Sequence, residues 1–134
     1  MSVGGWKSYD LGDLTVWKSG GTPSKSDQTY WNGDVPWISA KTFIGSKISD
    51  SNIKITKAGL DNGSRLAGLD SILLLVRGSG LFKDIPIGIV TRPVAFNQDI
   101  KAIEVDKTKV LPLFLMYWLI SNKTLLYHRF SRRL

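Results

Sequence analysis

Residues 20–43, GGTPSKSDQTYWNGDVPWISAKTF, crowd rigid turn chemistry directly ahead of two tryptophans and an apolar run. Gly20-Gly21 permits positive φ, Pro23 fixes its own φ, and Asn32-Gly33 is a tight-turn signal. The stretch therefore predicts a loop over residues 20–34 and a short strand over 35–39. Pro36 would place that strand at a sheet edge or at its own first residues.

The rest of the chain alternates strand and turn signals. Residues 6–17 alternate loosely around Gly12-Asp13 and read as a short strand or strand pair. Residues 48–55 alternate weakly and stay ambiguous. Thr56 caps a predicted helix over 57–62, which Gly63 ends. Residues 71–76, SILLLV, form the clearest buried strand, and residues 85–90 predict another. Arg92-Pro93 turns the chain, and residues 94–105 contain a further strand, placed at 101–105. Pro112 then opens a helix that runs into the 120s and packs by its apolar residues. The expected class is α+β (mixed α/β): one domain with a curved, mostly antiparallel sheet and a few short helices.

With 134 residues, the chain has room for one ordinary core. Hydrophobic residues at 43% and charged residues at 22% fit a soluble globular protein. The longest apolar run, residues 111–120, falls short of the roughly 17 residues that span a bilayer. No membrane role is expected, and the cytoplasm is the default compartment. The absence of cysteine excludes disulfides, thiolate metal sites and cysteine nucleophiles. Net charge is +7, yet the first 106 residues hold twelve basic and eleven acidic groups. The excess lies in Lys107, Lys109, Lys123, Arg129, Arg132 and Arg133. Bulk attraction to a polyanion would come from this tail, and selectivity from the body.

Chemistry is sparse. The single histidine, His128, sits in the basic tail, where neither a catalytic triad nor a zinc site has partners. Arg77-Gly-Ser-Gly80 follows a strand as a phosphate loop would, but a strand rather than a helix follows, so it reads as a hairpin loop. Asp84, Asp99 and Lys101 match the two carboxylates and lysine of Mg²⁺-dependent nucleases, against a reading as solvated charges. Neither catalytic nor metal-ligating residues are assigned, and no cofactor is implied.

Read together, the blocks resemble the target recognition domain of type I restriction-modification specificity subunits. The resembling pieces are Trp6 with Leu11-Gly12-Asp13, Gly20-Gly21-Thr22-Pro23, the Tyr30-Trp31 to Pro36-Trp37 block, and ITKAGLDNGS at 55–64. Arg77 with Pro86-Ile87-Gly88, Asn97-Gln98 and the aromatic LFLMYWLISNK follow in the same order. The loop over 78–85 is longer than the common form. The resemblance implies a recognition domain at 1–126 and a basic tail at 127–134, without the long spacer helix of a full subunit. It implies sequence-specific binding of double-stranded DNA with no catalysis by this chain. The implied partners are a methyltransferase subunit, a restriction subunit, and a second copy or second recognition domain.

Under that reading the candidate DNA contacts are Lys25, Lys41, Arg77, Lys83, Arg92 and Lys101, with Ser79, Asn97 and Gln98 as base readers. Arg77 leads, because it leaves a buried strand into a glycine loop and arginine grips guanine bidentately. Asn97 and Gln98 fit adenine's major-groove edge and fit loop backbone groups equally. Trp31 and Trp37 are expected to pack beneath the glycine-proline loop rather than stack on bases. Two alternatives remain: the nuclease built on Asp84, Asp99 and Lys101, and a module docking a protein partner through the helix from Leu113 and the tail.

Overall fold

The computed structural model describes residues 11–77 and 85–123. Trp6, Ser79, Lys83, Asp84 and the tail with His128 lie outside the described residues. In chain order the elements are α1 (Leu11–Leu14), β1 (Thr15–Ser19), a 3₁₀ turn (Gln28–Tyr30), β2 (Trp31–Ile38), β3 (Lys47–Ile48) and β4 (Lys54–Ile55). Then come α2 (Lys57–Gly63), β5 (Leu66–Ala67), β6 (Ile72–Leu75), β7 (Ile87–Val90), β8 (Val94–Phe96), β9 (Ile100–Val105) and α3 (Pro112–Ser121).

The class is α+β, and the strands divide between two sheets. One has the order β1-β9-β6-β7-β3, the other β4-β2-β8-β5. Antiparallel pairing dominates both, with β3 parallel to β7 and β2 parallel to β8.

Alternating side chains turn the two sheets into stacked layers. Ile72 and Leu74 of β6 face Leu115, Met116 and Leu119 of α3, together with Ile87, Ile89 and Ile103. Leu73 and Leu75, on the opposite face, meet Ile38, Val94 and Phe96 of the second sheet. The second sheet's far face carries Trp37, Ile55 and Ala95, against which Trp31 and Leu60 of α2 pack. β6 is thus buried on both faces, which explains its unbroken apolar sequence. Helix α3 is apolar all round, and its outer face exposes Leu113, Phe114 and Tyr117. No helix among the described residues is long and apolar enough to cross a membrane.

Locally encoded elements stand where expected. Thr56 Oγ1 accepts the Gly59 N–H at 3.1 Å, capping α2, and Pro112 opens α3. Other stretches differ from expectation. Residues 11–14 coil into a helical turn, closed by Thr15 Oγ1 donating to the Leu11 carbonyl at 2.7 Å. Asn32-Gly33 makes no hairpin: Asn32, at φ 62°, bulges inside β2, so that Trp31 and Val35 both register on Ile55. β2 is an interior strand despite Pro36. The Trp37 N–H points to the Ile53 carbonyl on the β4 side, so position 36 faces β8, where pairing starts only at Trp37. β8 itself, three buried residues, falls within the apolar run after Arg92-Pro93.

The paired glycines act through proximity rather than positive φ, which among the described glycines only Gly45 adopts. A Cβ on Gly20 would lie 2.5 Å from the Asn97 carbonyl oxygen and press on that of Phe96. Gly20→Ala should therefore destabilise the fold by roughly 1–3 kcal/mol through overpacking. Gly12→Ala, where a Cβ meets nothing within 4 Å, should be near neutral. Urea unfolding of both variants checks the contrast.

Candidate nucleic-acid interface

Several chain ends meet at one end of the fold. β1 leaves at Ser19, opposite Lys101 of β9, and β6 leaves at Leu75, opposite Ile100. Between β8 and β9 the chain turns a corner at residues 97–99. Backbone hydrogen bonds fix this corner: Asn97 N–H donates to Ile38 at 2.9 Å, and Val76 N–H donates to the Asp99 carbonyl at 2.8 Å. Asn97 is 7% exposed, and its Oδ1 accepts the Asp99 N–H at 3.1 Å. Asn97 thus serves the corner's backbone, the second of its two readings.

Gln98 is the exposed residue of the corner. Its Oε1 accepts the Thr22 hydroxyl at 2.7 Å, and its backbone carbonyl accepts from the Arg77 guanidinium at 3.3 Å. Arg77 Nε also stands 3.5 Å from Asp99 Oδ1, with its side chain 52% exposed. Its guanidinium is tethered by one edge and open to solvent elsewhere. Lys101 Nζ donates to Ser19 Oγ beside it. Arg77 and Gln98 are therefore brought together, and Lys101 lies beside Ser19 at the same sheet end.

The tryptophans hold the adjoining loop from beneath, as expected. Trp37 Nε1 donates to the Gly21 carbonyl at 3.1 Å and Trp31 Nε1 to the Ser24 carbonyl at 3.0 Å. Their rings meet edge-on, centroids 5.4 Å apart at 86°. Gly21 N–H donates to the Phe96 carbonyl at 3.0 Å, and Ser64 Oγ donates to the same oxygen at 3.0 Å. Lys25 is exposed on the turn of this loop, three residues beyond Thr22.

Lys41 and Arg92 stand apart from this cluster. Arg92 lies in the turn from β7 to β8, at the strand ends opposite to Arg77. Lys41 lines a shallow hollow with Lys47, Asp50 and Ser51. The Ser51 N–H, ahead of Lys54 and with Arg92 contributing least, holds the Asp50 carboxyl below its ordinary range. Of the nuclease trio, Asp99 is engaged with Arg77 and Lys101 with Ser19, while Asp84 lies outside the described residues. Among the described residues no three histidine or acidic side chains gather for a metal. Sequence reasoning missed Thr22 and Ser64, whose partners lie 76 and 32 residues away.

Residues 4–132 match the family described as "Type I restriction modification DNA specificity domain". The chain is 39% identical over 100 residues to a type I restriction enzyme specificity subunit of Escherichia coli, covering 73% of this chain and 24% of that protein. It is 31% identical over 127 residues to the MjaIX specificity subunit of Methanocaldococcus jannaschii, covering 90% and 27%. It thus spans about a quarter of these relatives' length. The fold resembles the crystal structure of an HsdS subunit from Thermoanaerobacter tengcongensis, with a TM-score of 0.65 at 14% identity, over 92% of this chain and 30% of that one. A chain from a structural study of type I R-M complex assembly and conformational transition aligns with a TM-score of 0.67 at 16% identity, covering 92% and 29%.

The indole contact at Gly21 yields a measurable consequence. Trp37→Phe keeps the ring in its apolar layer but leaves the Gly21 carbonyl without that donor. A loss of roughly 1–3 kcal/mol is expected in thermal or urea unfolding. Trp31→Phe, at a half-buried ring, should lose less.

Proposed function

The chain belongs to the family of type I restriction modification DNA specificity domains, and on that premise we propose that it is a target recognition domain that binds a defined sequence of double-stranded DNA. The observation that carries the reading is the family match over residues 4–132. Arg77 and Gln98 on a fixed corner, with Lys101 at the same sheet end, supply the chemistry. Recognition divides into phosphate contacts that set register and polar side chains that read base edges. Arg77 and Gln98 are the base readers, with Ser79, two positions after Arg77 in the sequence, as a third. Lys25 and Lys101 hold phosphates at the same end, and Lys83, outside the described residues, is a further phosphate contact of this reading. Arg92, at the other strand ends, and Lys41, in the turn after β2, would grip separate parts of the backbone.

On this reading the recognition domain occupies residues 1–126, with 127–134 as a basic tail, and acts in the cytoplasm. It carries out no reaction. It delivers its DNA site to a methyltransferase subunit and, in a full complex, to a restriction subunit. A second recognition domain would raise affinity through effective concentration.

Selection from a random duplex DNA pool, with binding measured at two salt concentrations, tests the reading. Enrichment of a short fixed motif is expected. A flat pool with steeply salt-sensitive binding would reduce the chain to a phosphate binder. Arg77→Ala should weaken binding to the enriched motif by roughly 1–3 kcal/mol and relax one base position. Equal loss on random DNA would make Arg77 a phosphate contact.

A further inference from the structure

We infer that Asn52 and Ile44 read an A·T base pair through the major groove, Asn52 on the N6 and N7 edge of adenine and Ile44 on the thymine methyl. The inference rests on the proposed DNA recognition and deepens it by naming a base pair and its readers.

Three observations carry it. First, the place suits a reading that is particular to one target. Residues common to a family cannot by themselves distinguish one target from another. The blocks that mark the family leave residues 38–54 as the longest described stretch outside them.

Second, this stretch presents free side chains from fixed anchors. Phe43 and Ile48 are buried in the apolar layer between the two sheets. The Ile48 carbonyl accepts the Thr91 N–H at 2.8 Å, which ties the stretch to the end of β7. Asn52 sits between two tied residues. The Ser51 N–H donates to Asp50 Oδ1 at 2.8 Å, the Ile53 N–H donates to Ser51 Oγ at 3.1 Å, and the Ile53 carbonyl accepts the Trp37 N–H at 2.9 Å. The Asn52 side chain is exposed, and its amide bonds to no other described residue. Ile44 is 78% exposed, beside Gly45 at φ 76°. Both residues line the same shallow hollow.

Third, unpaired cations surround the hollow. Lys41 and Lys47 line it, and Arg92 follows Thr91 beside Ile48. Among the described residues none of the three stands within 4.0 Å of a carboxylate. The carboxylate in the hollow, Asp50, is engaged with the Ser51 N–H and with Lys54 at 3.5 Å. A phosphate backbone would therefore be held on the rim while a base edge meets the residues between.

The chemistry selects the base pair. Adenine presents the N7 acceptor and the N6 donor side by side, and an asparagine amide supplies the matching donor and acceptor together. That pairing uses both ends of the amide, so it needs an unpartnered amide on a fixed Cα. The thymine of the same pair adds a methyl group, apolar surface that an exposed isoleucine can cover. A G·C pair offers guanine's two acceptors and cytosine's amino donor, with neither adenine's pattern nor the methyl.

The experiment is the random-pool selection on the full chain, run with wild type, Asn52→Ala and Ile44→Ala, with melting temperatures compared. The wild-type motif should contain an A·T pair whose preference Asn52→Ala lowers by roughly 5–150-fold, the discrimination of one bidentate pair. The other positions should stay as they are. In the enriched site, 7-deazaadenine at that position should weaken wild type and leave Asn52→Ala unaffected. Deoxyuridine in place of the thymine should weaken wild type and leave Ile44→Ala unaffected. The base analogues act on the unaltered protein, so the inference stays testable if a variant fails to fold. A wild-type motif that Asn52→Ala leaves unchanged, or that tolerates 7-deazaadenine at every adenine, overturns the inference and spares DNA recognition. Equal weakening of Asn52→Ala on enriched and random DNA makes Asn52 a backbone contact and also overturns it. Ile44→Ala remaining as sensitive to deoxyuridine as wild type removes the isoleucine from the reading. A wild-type pool without any motif sinks the function reading and this inference with it.

Discussion

The carbonyl of Phe96 is the point on which the polar end depends. It accepts the Gly21 N–H and the Ser64 hydroxyl, both at 3.0 Å, so it uses both lone pairs. Through it the chain leaving β1 in the first sheet is fastened to the end of β8 in the second. The approach is possible only because Gly20 carries no side chain, while the bare Gly21 clears the Gly63 carbonyl. Loop, corner and sheet end become one rigid body there, and Trp37 closes it from below.

Rigidity at that end is inherited from the core. β6 buries alternate side chains in two different apolar layers, and fully burying a leucine or isoleucine contributes roughly 1.5–3 kcal/mol. Four such residues on one short strand, packed into layers on both its faces and hydrogen-bonded to β7 and β9, hold it in place. Arg77 follows directly from this strand, so its Cα is placed by core packing. Its guanidinium is then tethered by Gln98 and Asp99. The order of causes runs from apolar burial, to strand register, to the placement of one cation.

What was legible in the sequence was what neighbouring residues determine. The unbroken apolar run of β6, the Thr56 cap of α2, Pro112 at the start of α3 and the anchoring role of the tryptophans all follow from local chemistry. What was not legible depends on distant strands. The division into two sheets rests on β2 running parallel to β8 and β3 parallel to β7, and no local pattern encodes a parallel partner. Asn32-Gly33 carries the letters of a hairpin turn, yet tertiary pairing with Ile55 makes it a bulge. The candidate cations were recognisable as exposed. Their sorting into Arg77 with Lys101 at one end, and Arg92 at the other, required the topology. Likewise Asn97 and Gln98 are chemically alike in the sequence. The corner decides between them, turning Asn97 inward to its own backbone and Gln98 outward.

This sorting bears on how a nearly neutral body could be selective. Among the described residues, Lys18, Lys54, Lys57, Arg77, Lys107 and Lys109 each stand within 4.0 Å of a carboxylate. Exposed pairs of this kind contribute only about 0–1 kcal/mol to stability, but at distances larger than the pair's own separation their opposite charges cancel. On the proposed function, a polyanion approaching the body would meet little net field and would not be held indiscriminately. At contact the balance changes. The Arg77–Asp99 pair is long and half-exposed, so a phosphate or guanine edge can take over a guanidinium face without breaking a buried bond. On that proposal, pairing that quiets the surface at a distance, together with donors held in fixed geometry at contact, would shift discrimination from bulk charge to hydrogen-bond fit.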